Sequence, residues 1–472
     1  MAIPASVLKV LDDWKISYSV PDDEDLFRLM QSNPPASYSA RVANVIFLKD
    51  EIGKVQVVVP GNRILDLNQL AHQLGRQFTA LSAEELTSLK NKHGLTEFPA
   101  LPQVTQLESL VDSNLLNEEE VFVVTGDGHE WIKIPTEQFR HLISNSRTGN
   151  FTTPLLTDIH LNDSQQDLED VHAAIRQFTP LRIKQRLAET LDLPPLPETA
   201  RRVIELRVDP NADTVHLAEV VELDPGMAAQ VVSWARSPYY GVRGEIKSIE
   251  DAVLRVLGFD LVINLALGLS LGRTLSVPKE GPHGYAPFWQ QSVVTATLCA
   301  ELIRIMPARY RPPHGLAYLC GLLHNFGFLI LGHVFPPQFS LVNRHIEANP
   351  HINRFYIERH LLGMTREQIS ACLLQQWKMP EELVTAMRQQ HNPEYEGEHC
   401  EFSRLLYIAT RSLRRHGFGD GPYENPEAYV LDYLGLRPDA VDETTCRVLE
   451  KIDDLSGMVQ MMKKHRIGTD AV

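Results

Sequence analysis

The stretch Leu217–Gly241, LAEVVELDPGMAAQVVSWARSPYYG, decides the fold. Its apolar residues recur at helical spacing on both sides of Asp224-Pro225. An aspartate at a capping position followed by proline in the first turn starts a helix, because proline's missing N–H is one that a helix start leaves unpaired anyway. Gly241 then ends the run. Working outward, the same i, i+3, i+4 period governs Ala200–Leu206, Ile249–Val256, Ser292–Ile305, Ile369–Trp377 and Glu381–Arg388, with Gly258 as a further terminator. The double proline at 194 and 195 predicts an extended lead-in to this series. No comparable alternating strands occur beyond about residue 180, so this part is predicted to be all-α. In the final segment, Cys446–Lys464, the residues Val448, Ile452, Leu455, Val459 and Met462 form a seam of about two heptads, predicted to pack on its own domain.

The first 145 residues have a different grammar. Val42–Leu48 and Val55–Val59 are β-branched runs around a turn-like stretch at 49–54 and predict a hairpin; Glu120–Thr125 and Glu130–Ile134 around GDGH predict a second. Asp66–Leu74 predicts a helix capped by Asp66 and stopped by Gly75. Residues 146–180 are polar and turn-forming before an acid-capped helix and are predicted to be a linker. The expected organisation is an α/β domain (1–145), the linker (146–180), a helical domain (181–395) and a helical extension (396–472).

Lys plus Arg number 45 against 60 Asp plus Glu, a net charge of -15, which disfavours nucleic acid as a main partner. Five cysteines without a CxxC pair indicate neither a disulfide framework nor a zinc ribbon, and a cytoplasmic location is expected, with no secretory signal evident. Pro312–Asn343 contains no Asp, Glu, Lys or Arg. His324 and Asn325 split its apolar run and Pro336-Pro337 stops it, whereas a membrane span needs about 20 consecutive mostly apolar residues. A buried helix and loop is the reading, with no membrane contact.

The series LPPLPETA (193–200), Leu217–Gly241, SIEDAVLRVLGFD (248–260) and YLCGLLHNFG (318–327) resembles the HDOD family, helical domains of bacterial signalling proteins related to HD phosphohydrolases. The resemblance spans about residues 187–392. It implies an HD-like helical fold and a relic of a metal site in which His and Asp side chains converge on cations that activate water. The ligand-type His-Asp pair falls on His324 and Asn325, so the acid is replaced by a neutral amide. Gln291 stands where a first histidine is usual, Arg366 near another, His391 follows Gln390, and Thr410 stands where the final acid would be. His324 and His391 are the weak metal candidates, and two neutral ligands rarely hold a catalytic cation. A cationic Arg366 would repel a metal but is able to bind a carboxylate or phosphate; pairing with a neighbouring acid such as Glu358 or Glu367 is the preferred expectation. His324 is expected to be a hydrogen-bonded core histidine, and Cys299, Cys320 and Cys372 buried small hydrophobes. The basic cluster Arg411–His416 fits a solvated helix face as well as an anion site.

The N-terminal third, from FLKDEIGKVQVVVPGNRILDLNQLAHQLG (47–75) through EEVFVVTGDGHEWIKI, resembles the YbaK and prolyl-tRNA-synthetase-associated editing domain. In that family a lysine and a glycine-containing turn serve deacylation of mischarged tRNA. Here the lysine slot falls on or near Asn44, and GLTEFPAL (94–101) replaces the turn. Asparagine has no ammonium to polarise an ester carbonyl.

The expectation is therefore a deacylase-like α/β domain and an all-α HDOD domain, both without catalytic residues. The protein is read as regulatory, binding a partner protein or a small signalling ligand and needing no cofactor. The alternatives are an HD-type phosphohydrolase or editing deacylase, and a small-molecule sensor.

Overall fold

The hairpin predicted around residues 49–54 is formed. In the computed structural model, β1 (Ala43–Lys49) pairs antiparallel with β2 (Lys54–Pro60), with Asn44 opposite Val59 and Lys49 opposite Lys54. The structure describes residues 3–22, 39–126, 130–156, 164–185, 196–242, 244–275, 278, 281–282 and 286–463. The Pro194-Pro195 lead-in lies outside them. The chain divides into two units. The first holds the described residues of Met1–Asp158 with Pro282 and Ser340–Leu361, and the second holds the remainder.

In the first unit, β3 (Arg63–Leu65) pairs with β9 (Thr152–Pro154), and β6 (Glu120–Val124) with β7 (Trp131–Pro135), the second predicted hairpin. The main sheet has the order β4-β1-β2-β5-β8, completed by β4 (Thr79–Ala80), β5 (Glu108–Asp112) and β8 (Arg147–Gly149). β2, β5 and β8 run parallel, so the sheet is mixed. Strand alternation sends Ala43 and Phe47 into one core with Val7 and Leu11 of α1 (Ala5–Asp13). Ile46 and Leu48 enter a second core with Leu67 and Leu70 of α2 (Leu67–Leu74). As predicted, Asp66 caps α2, accepting from the Asn68 and Gln69 N–H groups, and Gly75 ends it at a left-handed φ of +67°. Three more α-helices lie in the N-terminal part of this unit: α3 (Ala83–His93), α4 (Pro102–Thr105) and α5 (Thr136–Leu142).

Ser340–Leu361 is built into this same unit. Ala348 joins the second core, and Asn349 is fully buried, its Oδ1 accepting from Leu65 N (2.7 Å) and its Nδ2 donating to Leu65 O (3.0 Å). A buried amide that returns both bonds to one strand residue acts as a further rung of a sheet. His345 and His360 approach the two Asp66 oxygens at 3.9 and 4.0 Å, and these imidazoles hold the Asp66 carboxyl far below its usual range. His351 Nε2 lies 3.3 Å from Arg63 O, and burial pushes this imidazole down to about 4.

The second unit is all helical among its described residues. It begins with α6 (Ser164–Gln185), α7 (Glu198–Val208), α8 (Thr214–Glu222), α9 (Pro225–Ala235), α10 (Ile249–Ala252) and α11 (Phe259–Arg273). It continues through α12 (Phe288–Ile305), α13 (His314–Leu323) and α14 (Phe326–Val334). α15 (Pro336–Glu347) and α16 (Arg354–Leu362) carry the chain through the inserted segment. α17 (Arg366–Gln376), α18 (Glu381–Gln389), α19 (Cys400–Arg415), α20 (Ala428–Tyr433), α21 (Pro438–Glu450) and α22 (Ile452–Lys463) complete it. Asp224 caps α9 by accepting from Met227 N, with Pro225 at its first position. The helix predicted over Ile249–Val256 is α10 followed by a wider π turn at Val253–Leu257, which Gly258 ends at φ +80°. The uncharged apolar stretch is α13 and α14, broken at His324-Asn325, and 94% of its apolar window is buried. The C-terminal seam is divided at Lys451 into α21 and α22, both of which pack on α12.

The buried His351 supplies a pH test. Its folded-state pKa lies below the unfolded value of about 6.5, so the unfolded chain binds more protons between pH 6.5 and 4. This contribution is complete above pH 6.5 and is lost as pH falls toward 4, by at most about 3 kcal/mol. Urea titrations at stepped pH are expected to show His351→Gln with a flatter acid limb than the parent.

Candidate functional site

The candidate HD-type site is organised by the first turn of α17, whose residues Arg366, Glu367 and Gln368 are all buried. A helix start leaves its first N–H groups unpaired, and here the Thr365 hydroxyl accepts from Gln368 N (3.3 Å) while Gln368 Oε1 accepts from Thr365 N (2.8 Å). The other end of the Gln368 amide donates to Asp167 Oδ1 at 2.6 Å, and Arg388 Nε lies 2.8 Å from Asp167 Oδ2. The helix foreseen in the linker thus docks through a buried carboxylate. Burial pushes that carboxyl up, against the downward pull of Arg388 and Gln368. His391 Nε2 faces Glu367 Oε1 at 3.3 Å.

Arg366 is the centre. Its Nη1 donates to Asn325 Oδ1 at 3.0 Å and lies 3.9 Å from Asp420 Oδ2, with the guanidinium 5.4 Å from the centre of the Phe328 ring. Asp420 also accepts from Arg414 Nη2 at 2.9 Å; Glu424 joins Arg414 (3.3 Å) and Arg411 (3.4 Å). Arg411 and Arg414 are therefore buried network members, not a solvated face; of that cluster, Arg415 and His416 stay exposed. α14 reaches Arg366 because Gly327 has no side chain: a Cβ there would stand 2.0 Å from the Arg366 carbonyl oxygen.

The other predicted positions are also turned to protein partners. His324 is a buried core histidine whose Nδ1 donates to the Gly321 carbonyl (2.8 Å), and its own carbonyl accepts from Gln390 Nε2 (2.9 Å). Gln291 Nε2 donates to Ala286 O (2.6 Å), and the Thr410 hydroxyl donates to Leu406 O (2.8 Å) one turn back in α19. This donor set does not fit a divalent cation. The oxygen that corresponds to a ligand carboxylate, Asn325 Oδ1, already accepts from the Arg366 guanidinium, whose fixed positive charge stands where a cation would sit. Asp420 was missed by sequence reasoning: it lies in a Gly-Asp-Gly turn, 54 residues beyond Arg366, and no local signal marks its partner.

In the first unit, Asn44 lies on β1, and its buried Nδ2 has no hydrogen-bond partner among the described residues. The stretch that replaces the glycine turn is filled with side chains: Leu95, Phe98, Ala100 and Leu101 all enter the first core, with Phe98 edge-on to Phe47 at 4.6 Å. A cleft of about 680 Å³ lined by Lys9, Trp14, Gln103, Glu108 and Arg147 belongs to this unit, and Asn44 is not among its walls. Cys299, Cys320 and Cys372 are buried, and burial pushes each thiol up.

Residues 193–393 match the HDOD domain and residues 36–142 the aminoacyl-tRNA editing domain. A crystal structure from Marinobacter aquaeolei VT8, of a candidate signal transduction protein, is 40% identical over 98% of this chain and 100% of that one, with a TM-score of 0.87. An HDOD domain protein of unknown function from Geobacter sulfurreducens is 20% identical over 64% of this chain and 99% of that one, with a TM-score of 0.47. An uncharacterized protein of Treponema pallidum (strain Nichols) is 22% identical over 262 residues, 55% of this chain. The chain spans about half the length, 49%, of that curated relative.

Removing the guanidinium strands buried groups, so Arg366→Ala is expected to cost roughly 3–5 kcal/mol. Gly327→Ala, which forces α14 from Arg366, is expected to cost about 1–3 kcal/mol. Denaturant midpoints of the two variants check both.

Proposed function

Because the chain belongs to the HDOD family and carries an aminoacyl-tRNA editing-type domain ahead of it, we propose that it is a non-catalytic regulatory protein of bacterial signal transduction. It acts in the cytoplasm by binding a partner protein or a small signalling ligand. The observation that carries this reading is Arg366, a buried cation donating to Asn325 where the resemblance to HD hydrolases puts a metal held by His and Asp side chains. A divalent cation entering there would meet a fixed positive charge, an amide oxygen already accepting from it, and the Asp420 carboxylate already paired with arginines. On the editing side, Asn44 and the side-chain-filled Leu95–Leu101 stretch support the same conclusion, since neither an ammonium nor an open backbone turn is at hand for an ester carbonyl. The signal-transduction description of the 40% identical Marinobacter protein supports the regulatory assignment.

The test is a phosphodiesterase assay with cyclic dinucleotides and added manganese, alongside deacylation of mischarged tRNA. No turnover above the His324→Ala variant is expected in the first assay, and none above an Asn44→Ala variant in the second. Reproducible turnover abolished by either substitution overturns the reading. Asn325→Asp alone is expected to recruit no manganese, because Arg366 remains; Asn325→Asp combined with Arg366→His is expected to gain affinity.

A further inference from the structure

α19 and α21 lie beyond residue 393, where the match to the HDOD domain ends, and they bring together donors that the relic site does not use. His416 follows the last residue of α19, where Gly417 (φ +73°) and the Phe418 N–H bond to Leu413 O close the helix. Asp442 and Cys446 are four residues apart on α21, so one helix face presents both. His416 Nε2 lies 2.9 Å from Asp442 Oδ1, and Cys446 Sγ lies 3.9 and 4.0 Å from the two imidazole nitrogens. All three ligating atoms fall within 4.8 Å of one another. Tetrahedral zinc with bonds of about 2.0 Å to nitrogen, 2.0–2.2 Å to oxygen and 2.3 Å to sulfur sets its ligands roughly 3.3–3.6 Å apart. His416 and Asp442 would open by a few tenths of an ångström, and Cys446 would close by up to about an ångström, which a side-chain rotation on α21 supplies.

We propose that His416, Asp442 and Cys446 form a binding site for a divalent cation of the zinc class. The cation takes the place of the hydrogen between His416 Nε2 and Asp442 Oδ1: the neutral imidazole moves its one hydrogen to Nδ1 through solvent, freeing the Nε2 lone pair, and the Cys446 thiol gives up its proton to solvent, so one proton is released per cation bound. A thiolate and a carboxylate balance the two positive charges, and the nitrogen, oxygen and sulfur set selects zinc over magnesium or calcium. Three protein ligands leave one position for water. Arg415 opposes binding: its Nε lies 3.8 Å from Asp442 Oδ1, on a side chain 44% exposed that is able to swing into solvent. Cys299, Cys320, Cys372 and Cys400 are buried, which leaves Cys446 as the accessible thiol.

The full chain, purified without a metal column and stripped with chelator, is titrated with zinc and separately with cobalt. One equivalent of zinc is expected, with a thiolate-to-cobalt charge-transfer band. Cys446→Ser is expected to lose the band, and Cys446→Ser, His416→Gln and Asp442→Asn are each expected to weaken zinc binding at least tenfold, while Arg415→Gln tightens it. The His324→Ala, His391→Ala double variant is expected to keep the metal; loss of zinc there would overturn this site in favour of the relic one. Less than stoichiometric zinc, absence of the cobalt band in the wild-type chain, or unchanged affinity in Cys446→Ser also overturns it. The band is read on the unmutated protein, so it decides even where a variant fails to fold.

Discussion

Three consecutive polar side chains, Arg366, Glu367 and Gln368, are buried at a helix start, and much of the second unit's arrangement follows from satisfying them. A buried helix terminus with charged residues is tolerable only when each group finds a partner of the right kind. The partners come from four directions: Asn325 between α13 and α14, Asp420 beyond α19, His391 beyond α18, and Asp167 on α6. Gly327 is a condition of the same arrangement, because its missing side chain lets α14 approach the α17 backbone. The site is thus an internal polar junction, and its groups are spent on one another.

The first unit has a comparable logic in a milder form. Its two cores follow from strand alternation, but the corner at Arg63, Leu65 and Asp66 carries backbone and carboxylate groups that the sheet does not use up. Asn349, His345, His351 and His360 meet them there. Histidines serve this purpose well, since each nitrogen is able to donate or accept according to its tautomer.

The local elements were legible in the sequence because their signals are local. Asp66 and Gly75 bracket one helix, Asp224-Pro225 opens another, and the β-branched runs about residues 49–54 make a hairpin, each by short-range geometry. That an amide, Asn325, follows His324 in the break of the apolar run was legible for the same reason. What stayed hidden depends on distance along the chain: Asn349 bonds to Leu65 from 284 residues away, and Asp167 to Gln368 from 201. The break at Lys451 was also hidden, since the apolar spacing of Val448, Ile452 and Leu455 continues across it while the hydrogen-bonded helix does not. The burial of Arg411 and Arg414 required knowing that Asp420 and Glu424 fold back on α19.

The placement of Ser340–Leu361 in the first unit has a consequence for how the chain is made. A domain whose last pieces of core and sheet-like pairing are encoded nearly 200 residues after its main body is not finished when that body leaves the ribosome. At roughly 5–20 residues per second, about 10–40 s of further synthesis separates Asp158 from Leu361. During that interval the Leu65 backbone and the core surface that Ala348 later covers are open to water and to other chains. Vectorial folding, domain by domain from the N-terminus, is therefore interrupted in this protein, and the stretch of translation between residues 158 and 361 is its vulnerable period.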